Sequence, residues 1–260
     1  MQLDNMMIDK EIKKAVLFIT VTLEENESVV IEENALIEDA EEVVISIDVQ
    51  NSAICTYYIS QSRKKVQRNA IVRQNASMIW HETVVVKERG ESVITTDLVA
   101  PGADGKIYSA IYSVGENHYT ASQSIFHKAP HTTSTMFCRG IAQDASKIIY
   151  RSMIDMDQGT DGAIGKQKAD MLIASPKAMI DAIPDLAIRH HMVECSHGVS
   201  ITKLQDIPLF YLASRGYSEQ EARNTLLLGH VVPIIEHISD EVKRNEYIAS
   251  IEQAITEHYE

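Results

Sequence analysis

Short hydrophobic runs dominate the chain from Ala15 to about His191. The runs are rich in β-branched and aromatic residues, and each one ends at glycine, proline, asparagine, aspartate or a cluster of charges. Clear examples cover residues 43–47, 54–59, 84–86, 92–96, 107–114, 147–154 and 171–174. Runs of this length and composition are typical of β-strands.

Helix-length periodic segments do not separate most of these strands, which argues against a layered α/β sheet. A sandwich, a barrel and a β-solenoid are all compatible with such a series of strands. Two features favour the solenoid. Hairpin signals such as Asn-Gly are few, and small residues recur among the strands, as stacked coils require, at Ala53, Ala76, Ala110, Ala142 and Ala169. No repeat of fixed length is visible.

We therefore predict a mostly β fold whose solenoid core covers residues 15–203. Residues 1–14 form a polar N-terminal segment that is predicted to contain a short helix.

The sequence after Ser200 becomes helical. Ser218 and Glu221 match a capping box, and Gly216 is placed to end a preceding helix. The pattern predicts helices at about 206–215, at about 219–231 and from about 240 onward, within a C-terminal segment of residues 204–260. Three consecutive leucines, residues 226–228, make the second helix apolar on more than one face, so it is either buried or presented to a partner.

Composition restricts the functions that the chain can have. Its 260 residues are 45% hydrophobic, which is enough for a sizeable core, and its net charge is −13. An acidic chain repels phosphate backbones and anionic lipids, so we predict neither a nucleic-acid partner nor a membrane partner. The sequence has no run of the ~18 apolar residues that a membrane helix needs, and it has no secretory signal pattern. We therefore predict a cytoplasmic protein.

The cysteines are Cys55, Cys138 and Cys195. Their odd number and wide spacing argue against a disulfide framework, and no two lie at the spacing of a zinc ribbon or a ferredoxin. One chain therefore cannot supply a four-cysteine site.

The segment from Glu194 to Gly198 carries the most specific local chemistry. In an extended strand, Cys195 and His197 point to the same face, and thiolate with imidazole is a ligand pair suited to iron or zinc. Glu194 faces the other way unless the strand bends at Gly198. The alternative is a structural cysteine beside a hydrogen-bonded histidine. A thiol catalyst is disfavoured, because side chains two residues apart on a strand are poorly arranged to activate a thiolate.

Other patterns are weaker. Residues 162–166 resemble a phosphate loop but lack its spacing and its final hydroxyl residue, so we interpret them as a turn between strands. The histidine pairs His127/His131 and His190/His191 are interpreted mainly as structural or surface residues. A carbohydrate-cleaving solenoid is disfavoured, because the single tryptophan, Trp80, and the lack of a clear acidic pair do not fit a sugar-binding groove.

Several stretches together resemble the SufB/SufD family. The strongest are Val193-Glu-Cys-Ser-His-Gly-Val-Ser200, Leu209-Phe-Tyr-Leu-Ala-Ser-Arg-Gly216 and Ser218-Glu-Gln-Glu-Ala222, in this order and spacing. Further stretches that resemble the family precede them, at residues 126–134, 139–144, 169–176 and 183–188. The resemblance runs from about residue 90 to about residue 232, which is more than half of the chain.

This resemblance implies a right-handed parallel β-helix with a C-terminal helical segment, paired with a second SufB/SufD-like subunit. It also implies a scaffold rather than an enzyme. The scaffold would hold a nascent, transient iron–sulfur cluster between subunits, while a SufC-type ABC ATPase partner hydrolyses ATP. The alternative is a structural or regulatory partner of that ATPase that binds no cluster.

The resemblance assigns Cys195, His197 and Glu194 as the metal-binding residues. Within the C-terminal helices, through which the family docks onto its ATPase, we predict the contact at Phe210, Tyr211, Arg215, Leu226 and Leu227. The alternative is that this region packs against the end of the β-helix. The chain departs from the SufB branch, which has a cysteine at the position of Lys168 and a glutamate at the position of Gly198, and in both respects it is closer to SufD. A homodimer and a heterodimer therefore both remain open.

Overall fold

The computed structural model describes residues 7–13, 16–37, 42–60 and 64–257. It confirms a mostly β fold followed by helices. The first fourteen strands are β1 (Met7–Lys13), β2 (Val16–Leu23), β3 (Ser28–Glu32), β4 (Glu42–Val49), β5 (Ile54–Ile59), β6 (Lys65–Val72), β7 (Ser77–Val86), β8 (Gly90–Leu98), β9 (Asp104–Ser113), β10 (His118–His127), β11 (Thr133–Ala142), β12 (Lys147–Met156), β13 (Ile164–Ile173) and β14 (Met179–Ile188). The last strand is β15 (Glu194–Lys203), and the helices are α1 (Glu33–Leu36), α2 (Asp206–Ser214), α3 (Glu219–Ile235) and α4 (Glu241–Glu257).

Alternate strands form two sheets, as a solenoid requires. The first sheet has the order β1-β2-β4-β6-β8-β10-β12-β14, and the second has the order β15-β13-β11-β9-β7-β5-β3. All pairs are parallel except β1 with β2. In the middle coils each strand alternates one buried and one less buried side chain, so these coils add their inward residues to one core between the sheets.

Unequal coils explain why no fixed repeat is visible in the sequence. In register, one coil takes 23 residues from Ile54 to Ser77 but 31 from Thr133 to Ile164. The corners are nevertheless regular, because left-handed residues recur at one of them: Asn26, Ser52, Asn75, Gly102, His131 and Gly162. At Gly102 a Cβ atom would lie 2.2 Å from Asn75 Oδ1, so a larger residue at this corner would have to displace the Asn75 side chain.

The predicted helix near the N-terminus is wrong for the part of residues 1–14 that the structure describes. Residues 7–13 form β1, which pairs antiparallel with β2 at the outer edge of the first sheet. Ile8 packs against the core while Met7, Asp9 and Lys10 are exposed. Pairing with β2 selects a strand where the polar sequence alone gave no strand signal.

A buried polar network runs through the middle coils. Arg68 and Glu33 form an ion pair at 2.7 Å, and both side chains are almost completely buried. Farther along the solenoid, the Glu82 carboxylate accepts hydrogen bonds from Tyr119 and Ser109. These polar groups satisfy one another, which is the condition for burying charge in a core.

The C-terminal helices lie against the side of the solenoid rather than over its end. Leu227 and Val231 of α3 and Ile251 of α4 share a second apolar cluster with Tyr112 and Ile141, which lie on the outer face of the second sheet. The predicted capping box at Ser218 is confirmed, and α3 continues through Pro233 to Ile235. Helices α3 and α4 therefore do not pack against the end of the β-helix.

Candidate metal centre at the open end of the solenoid

The last coil, formed by β14 and β15, leaves the solenoid interior open. In β13 the inward residues Gly165, Gln167, Ala169 and Met171 are buried. Their register partners in β15 are, in the same order, Cys195, His197, Val199 and Ile201. Cys195 is half-buried, and the other three are exposed. The same inward face that forms the core elsewhere is accessible here.

Cys195 is the most protected residue of this open row. A Cβ atom on Gly165 would lie 3.1 Å from Cys195 Sγ, so the sulfur rests where Gly165 has no side chain. The thiol also packs against the main core. Partial burial raises the pKa of the Cys195 thiol, so metal binding has to displace its proton.

The structure brings two of the three predicted ligands to one face and leaves the third on the other. Cys195 and His197 both face the interior, as the two-residue period of a strand requires. Glu194 stays on the opposite face, because β15 is continuous through Gly198. A side chain at Gly198 would meet nothing within 4 Å, so no local crowding requires glycine there. Across the described ranges, no three His, Cys, Asp or Glu side chains are arranged to hold a metal ion.

The backbone edge of β15 has no strand beside it in the described structure. Glu194 N and Leu204 N donate to carbonyls of the β13 segment, at 2.9 Å and 3.0 Å. Because backbone N–H groups alternate along a strand, the N–H groups of the odd-numbered residues point to the free edge. These are Cys195, His197, Val199, Ile201 and Lys203.

The free edge of β14 differs, because proline interrupts it. Met179 N and Arg189 N donate toward β12, which places the even-numbered nitrogens of β14 on the free edge. Pro184 lies at one of these positions and has no N–H to donate. The uninterrupted edge of the open coil is therefore that of β15.

Lys168 does not share the face of Cys195. Its ammonium lies 2.9 Å from the Asp170 carboxylate on the outer face of the second sheet. Asp170 also accepts a hydrogen bond from Ser200 at 2.8 Å. A thiolate at position 168 and the thiol of Cys195 would therefore lie on opposite faces of the second sheet.

The other histidine candidates have structural partners. His127 is buried, with its two ring nitrogens 2.7 Å from the hydroxyls of Thr132 and Ser134. His190 lies 3.0 Å from Asp161 at the corner before the last coil. The interpretation of residues 162–166 as a turn holds for Gly162, whereas Ile164, Gly165 and Lys166 belong to β13.

The remaining cysteines are buried inside the solenoid. Burial raises the pKa of Cys55 to about 12 and keeps that of Cys138 well above its ordinary value. Neither thiol has the exposure that a reactive cysteine needs.

Helix α2 carries two of the five predicted partner-binding residues, Phe210 and Tyr211, and Arg215 directly follows its last residue. None of its residues is buried, and Phe210 is 75% exposed and Tyr211 56% exposed. The Arg215 guanidinium lies 5.3 Å from the Tyr211 ring centroid. Leu226 is half-buried on α3. The prediction for Leu227 as a contact residue is corrected, because its side chain is 0% exposed and forms part of the α3 packing.

Sequence reasoning did not identify Gly165 and Gln167 as parts of this site. Gly165 accommodates the sulfur of Cys195, and Gln167 is the buried register partner of His197. The signal was the alternation in β13, which places a polar glutamine among inward glycine, alanine and methionine residues.

A family model and two known proteins that match this chain all indicate the same protein family. Residues 8–230 match the family model described as "SUF system FeS cluster assembly, SufBD core domain". The iron-sulfur cluster assembly protein SufB of Bacillus subtilis is 26% identical over 200 residues, which cover 75% of this chain and 43% of that protein. An iron-sulfur cluster assembly SufBD family protein of Staphylococcus saprophyticus is 27% identical over 173 residues, or 66% of this chain and 37% of that protein. The chain thus spans less than half the length of these relatives. Among the described helices, none has the length and apolar character to cross a membrane.

Proposed function

Because this chain belongs to the SufBD core-domain family of the SUF system for iron–sulfur cluster assembly, we propose that it is a scaffold subunit for that process. In this proposal the open last coil is the assembly surface, and a nascent cluster is its transient cargo. The observation that carries the proposal is that half-buried Cys195 and exposed His197 share one inward face beside an uninterrupted strand edge.

The incomplete ligand set supports a site that is shared between subunits. One chain contributes a thiol and an imidazole on the same face, whereas an iron–sulfur cluster needs about four ligands. A second SufB/SufD-like subunit across a two-fold axis would present the same patch and complete the set. Glu194 lies on the opposite face of β15, so in this arrangement it would contribute only after a rearrangement of the strand.

Iron and sulfide supplied to the purified protein under anaerobic conditions test this proposal. We expect visible absorption and a mass of two chains for the wild type, and loss of both in Cys195→Ser. Cys138→Ser is the matched control, since that thiol is buried and should leave the colour unchanged. A colourless wild type, or colour that is indifferent to Cys195→Ser, would contradict the proposal.

Helix α2 supports a second element of the proposal, a docking site for a SufC-type ABC ATPase. A nine-residue helix with no buried residue and exposed Ile207, Phe210 and Tyr211 carries more apolar surface than a solvated helix needs. If the chain binds no cluster, this surface favours the alternative role as a regulatory partner of the ATPase.

The double variant Phe210→Ser/Tyr211→Ser tests the docking site. We expect it to weaken binding of the purified ATPase by at least ten-fold while thermal stability stays unchanged, because these aromatic rings make no buried contact. Val242→Ser is the control, since Val242 is equally exposed but lies on α4. Equal binding by the double variant and the control would exclude α2 as the contact.

A further inference from the structure

A buried carbonyl oxygen without a partner lies directly behind the open coil. Gln167 is 3% exposed, and its Oε1 atom accepts no hydrogen bond from any residue in the described part of the chain. Its Nε2 atom donates to Ser152 Oγ. A buried acceptor left unpaired is costly, so its persistence calls for a donor that completes it.

The donor and the acceptor of each hydrogen bond in the core can be assigned from Arg68 onward, because its guanidinium can only donate. Arg68 Nη1 donates to Ser92 Oγ at 2.9 Å, so the Ser92 hydroxyl donates onward to Glu82 Oε1 at 2.7 Å. The Glu82 carboxylate therefore acts as acceptor, and it receives Gln123 Nε2 at 3.0 Å. The amide of Gln123 is fixed by this contact, with its oxygen directed away from Glu82.

The same order of donors and acceptors continues from Gln123 to Gln167. Tyr150 donates its hydroxyl proton to Gln123 Oε1 at 2.9 Å, so toward any other group the Tyr150 oxygen can only accept a hydrogen bond. The Ser152 oxygen then accepts from Gln167 Nε2. In this arrangement the Gln167 nitrogen donates to Ser152, and the free atom of the amide is the oxygen.

His197 is the neighbour of Gln167 in register whose side chain can donate a hydrogen bond. Gln167 pairs with Met136 on one side and with His197 on the other, and parallel strands lie ~4.8 Å apart. Met136 has no donor. Pro184, which follows Ser152 in register on the opposite sheet, has no N–H. The His197 ring lies on the same inward face and can offer an N–H from either nitrogen.

We propose that Gln167 is a positioning residue that accepts one ring N–H of His197 and so keeps the other ring nitrogen unprotonated toward the open coil. A histidine that binds metal commonly donates its second nitrogen to an oxygen acceptor, which fixes both tautomer and ring orientation. The inference rests on the proposed function, in which His197 is a ligand at the subunit interface.

Nitrogen-15 NMR of the histidine side chains in the unloaded protein tests this at a pH where His197 is neutral. We expect a single His197 tautomer whose ring N–H exchanges with solvent roughly ten-fold more slowly than that of exposed His118, the protection that one net hydrogen bond gives. Gln167→Leu should abolish this protection, and Gln167→Glu, which retains an acceptor, should restore it.

A purely structural role for Gln167 would leave the His197 signal unchanged in Gln167→Leu, and that result would overturn the inference. Circular dichroism of each variant establishes that it is folded before the comparison is made. Because no iron is present, the result is separate from cluster binding. If the His197 ring N–H is protected but the protein never binds iron, the inferred hydrogen bond stands and only the proposed function is contradicted.

Discussion

The middle coils and the last coil share one strand pattern but have opposite surroundings. In the middle coils, inward residues such as Cys138 and Ile107 are buried between two sheets. In the last coil, the corresponding residues Val199 and His197 face solvent. A solenoid cannot bury the inward face of its terminal coil by itself. Where no helix covers that face, it is available for contact with another protein surface. Helices α3 and α4 would have been available as a cap, yet they lie along the side.

The largest effect should come from the charged part of the middle coils. Arg68→Met leaves the Glu33 carboxylate buried without its cation, and we expect the free energy of unfolding to fall by about 3–5 kcal/mol. Urea denaturation measures this loss. The double variant Glu33→Gln/Arg68→Met removes both charges and should recover part of it. Equal stability of the single and double variants would contradict a buried ion pair.

A pair of register neighbours gives the sharpest contrast between the two regions. Met171 is fully buried and Ile201, its neighbour in β15, is 44% exposed. We expect Met171→Ala to cost about 2–5 kcal/mol and Ile201→Ala less than about 0.5 kcal/mol in the monomer, measured by urea denaturation at low protein concentration. A cost for Ile201→Ala similar to that for Met171→Ala would mean that the last coil is closed.

Acid should destabilise the middle coils through their buried histidines. Desolvation lowers the pKa of His127 to about 4, and desolvation and His237 lower that of His81 to about 4. The unfolded chain takes up these protons near pH 6.5 while the folded chain resists until about pH 4, so stability present above pH 6.5 is lost as the pH falls through this window. The difference amounts to about 3 kcal/mol for each histidine.

His127→Gln isolates one of these contributions. Its free energy of unfolding, measured by urea titration from pH 7 to pH 4.5, should depend less steeply on pH than that of the wild type. An unchanged slope would show that folding does not shift the pKa of His127.

Two glycines provide the smallest contrast. A Cβ atom on Gly140 would lie 2.6 Å from Met171 Sδ, whereas one on Gly198 would meet nothing. We expect Gly140→Ala to cost about 1–3 kcal/mol as the methionine is displaced, and Gly198→Ala to stay within about 0.5 kcal/mol. Thermal melts of both variants check the difference, and equal melting temperatures would contradict it.

The sequence predicted the features that depend on local pattern. Alternating β-branched residues identified the strands, and Ser218 with Glu221 placed the start of α3. Features set by tertiary contacts were not predictable. β1 has a polar sequence and becomes a strand by pairing with β2, and coils of unequal length conceal the repeat.

For the candidate site, the sequence predicted the shared face of Cys195 and His197 from strand periodicity. It left open whether the strand bends at Gly198 to bring Glu194 to that face, and the continuous β15 shows that it does not. It could not predict that the coil beneath them is open, because that depends on where the chain leaves the solenoid. The role of Gln167 depends on a hydrogen-bond chain that begins at Arg68, roughly 100 residues earlier in the sequence.

Sedimentation velocity after anaerobic addition of iron and sulfide, comparing the wild type with Val199→Pro, tests whether the β15 edge joins two subunits. This substitution removes an N–H that points to the free edge and leaves the bonds to β13 intact, as Pro184 does in β14. We expect a two-chain, iron-containing species for the wild type and a one-chain, iron-free species for the folded variant. A wild type that stays a single chain, or a variant that still forms the two-chain species, would contradict assembly through this edge.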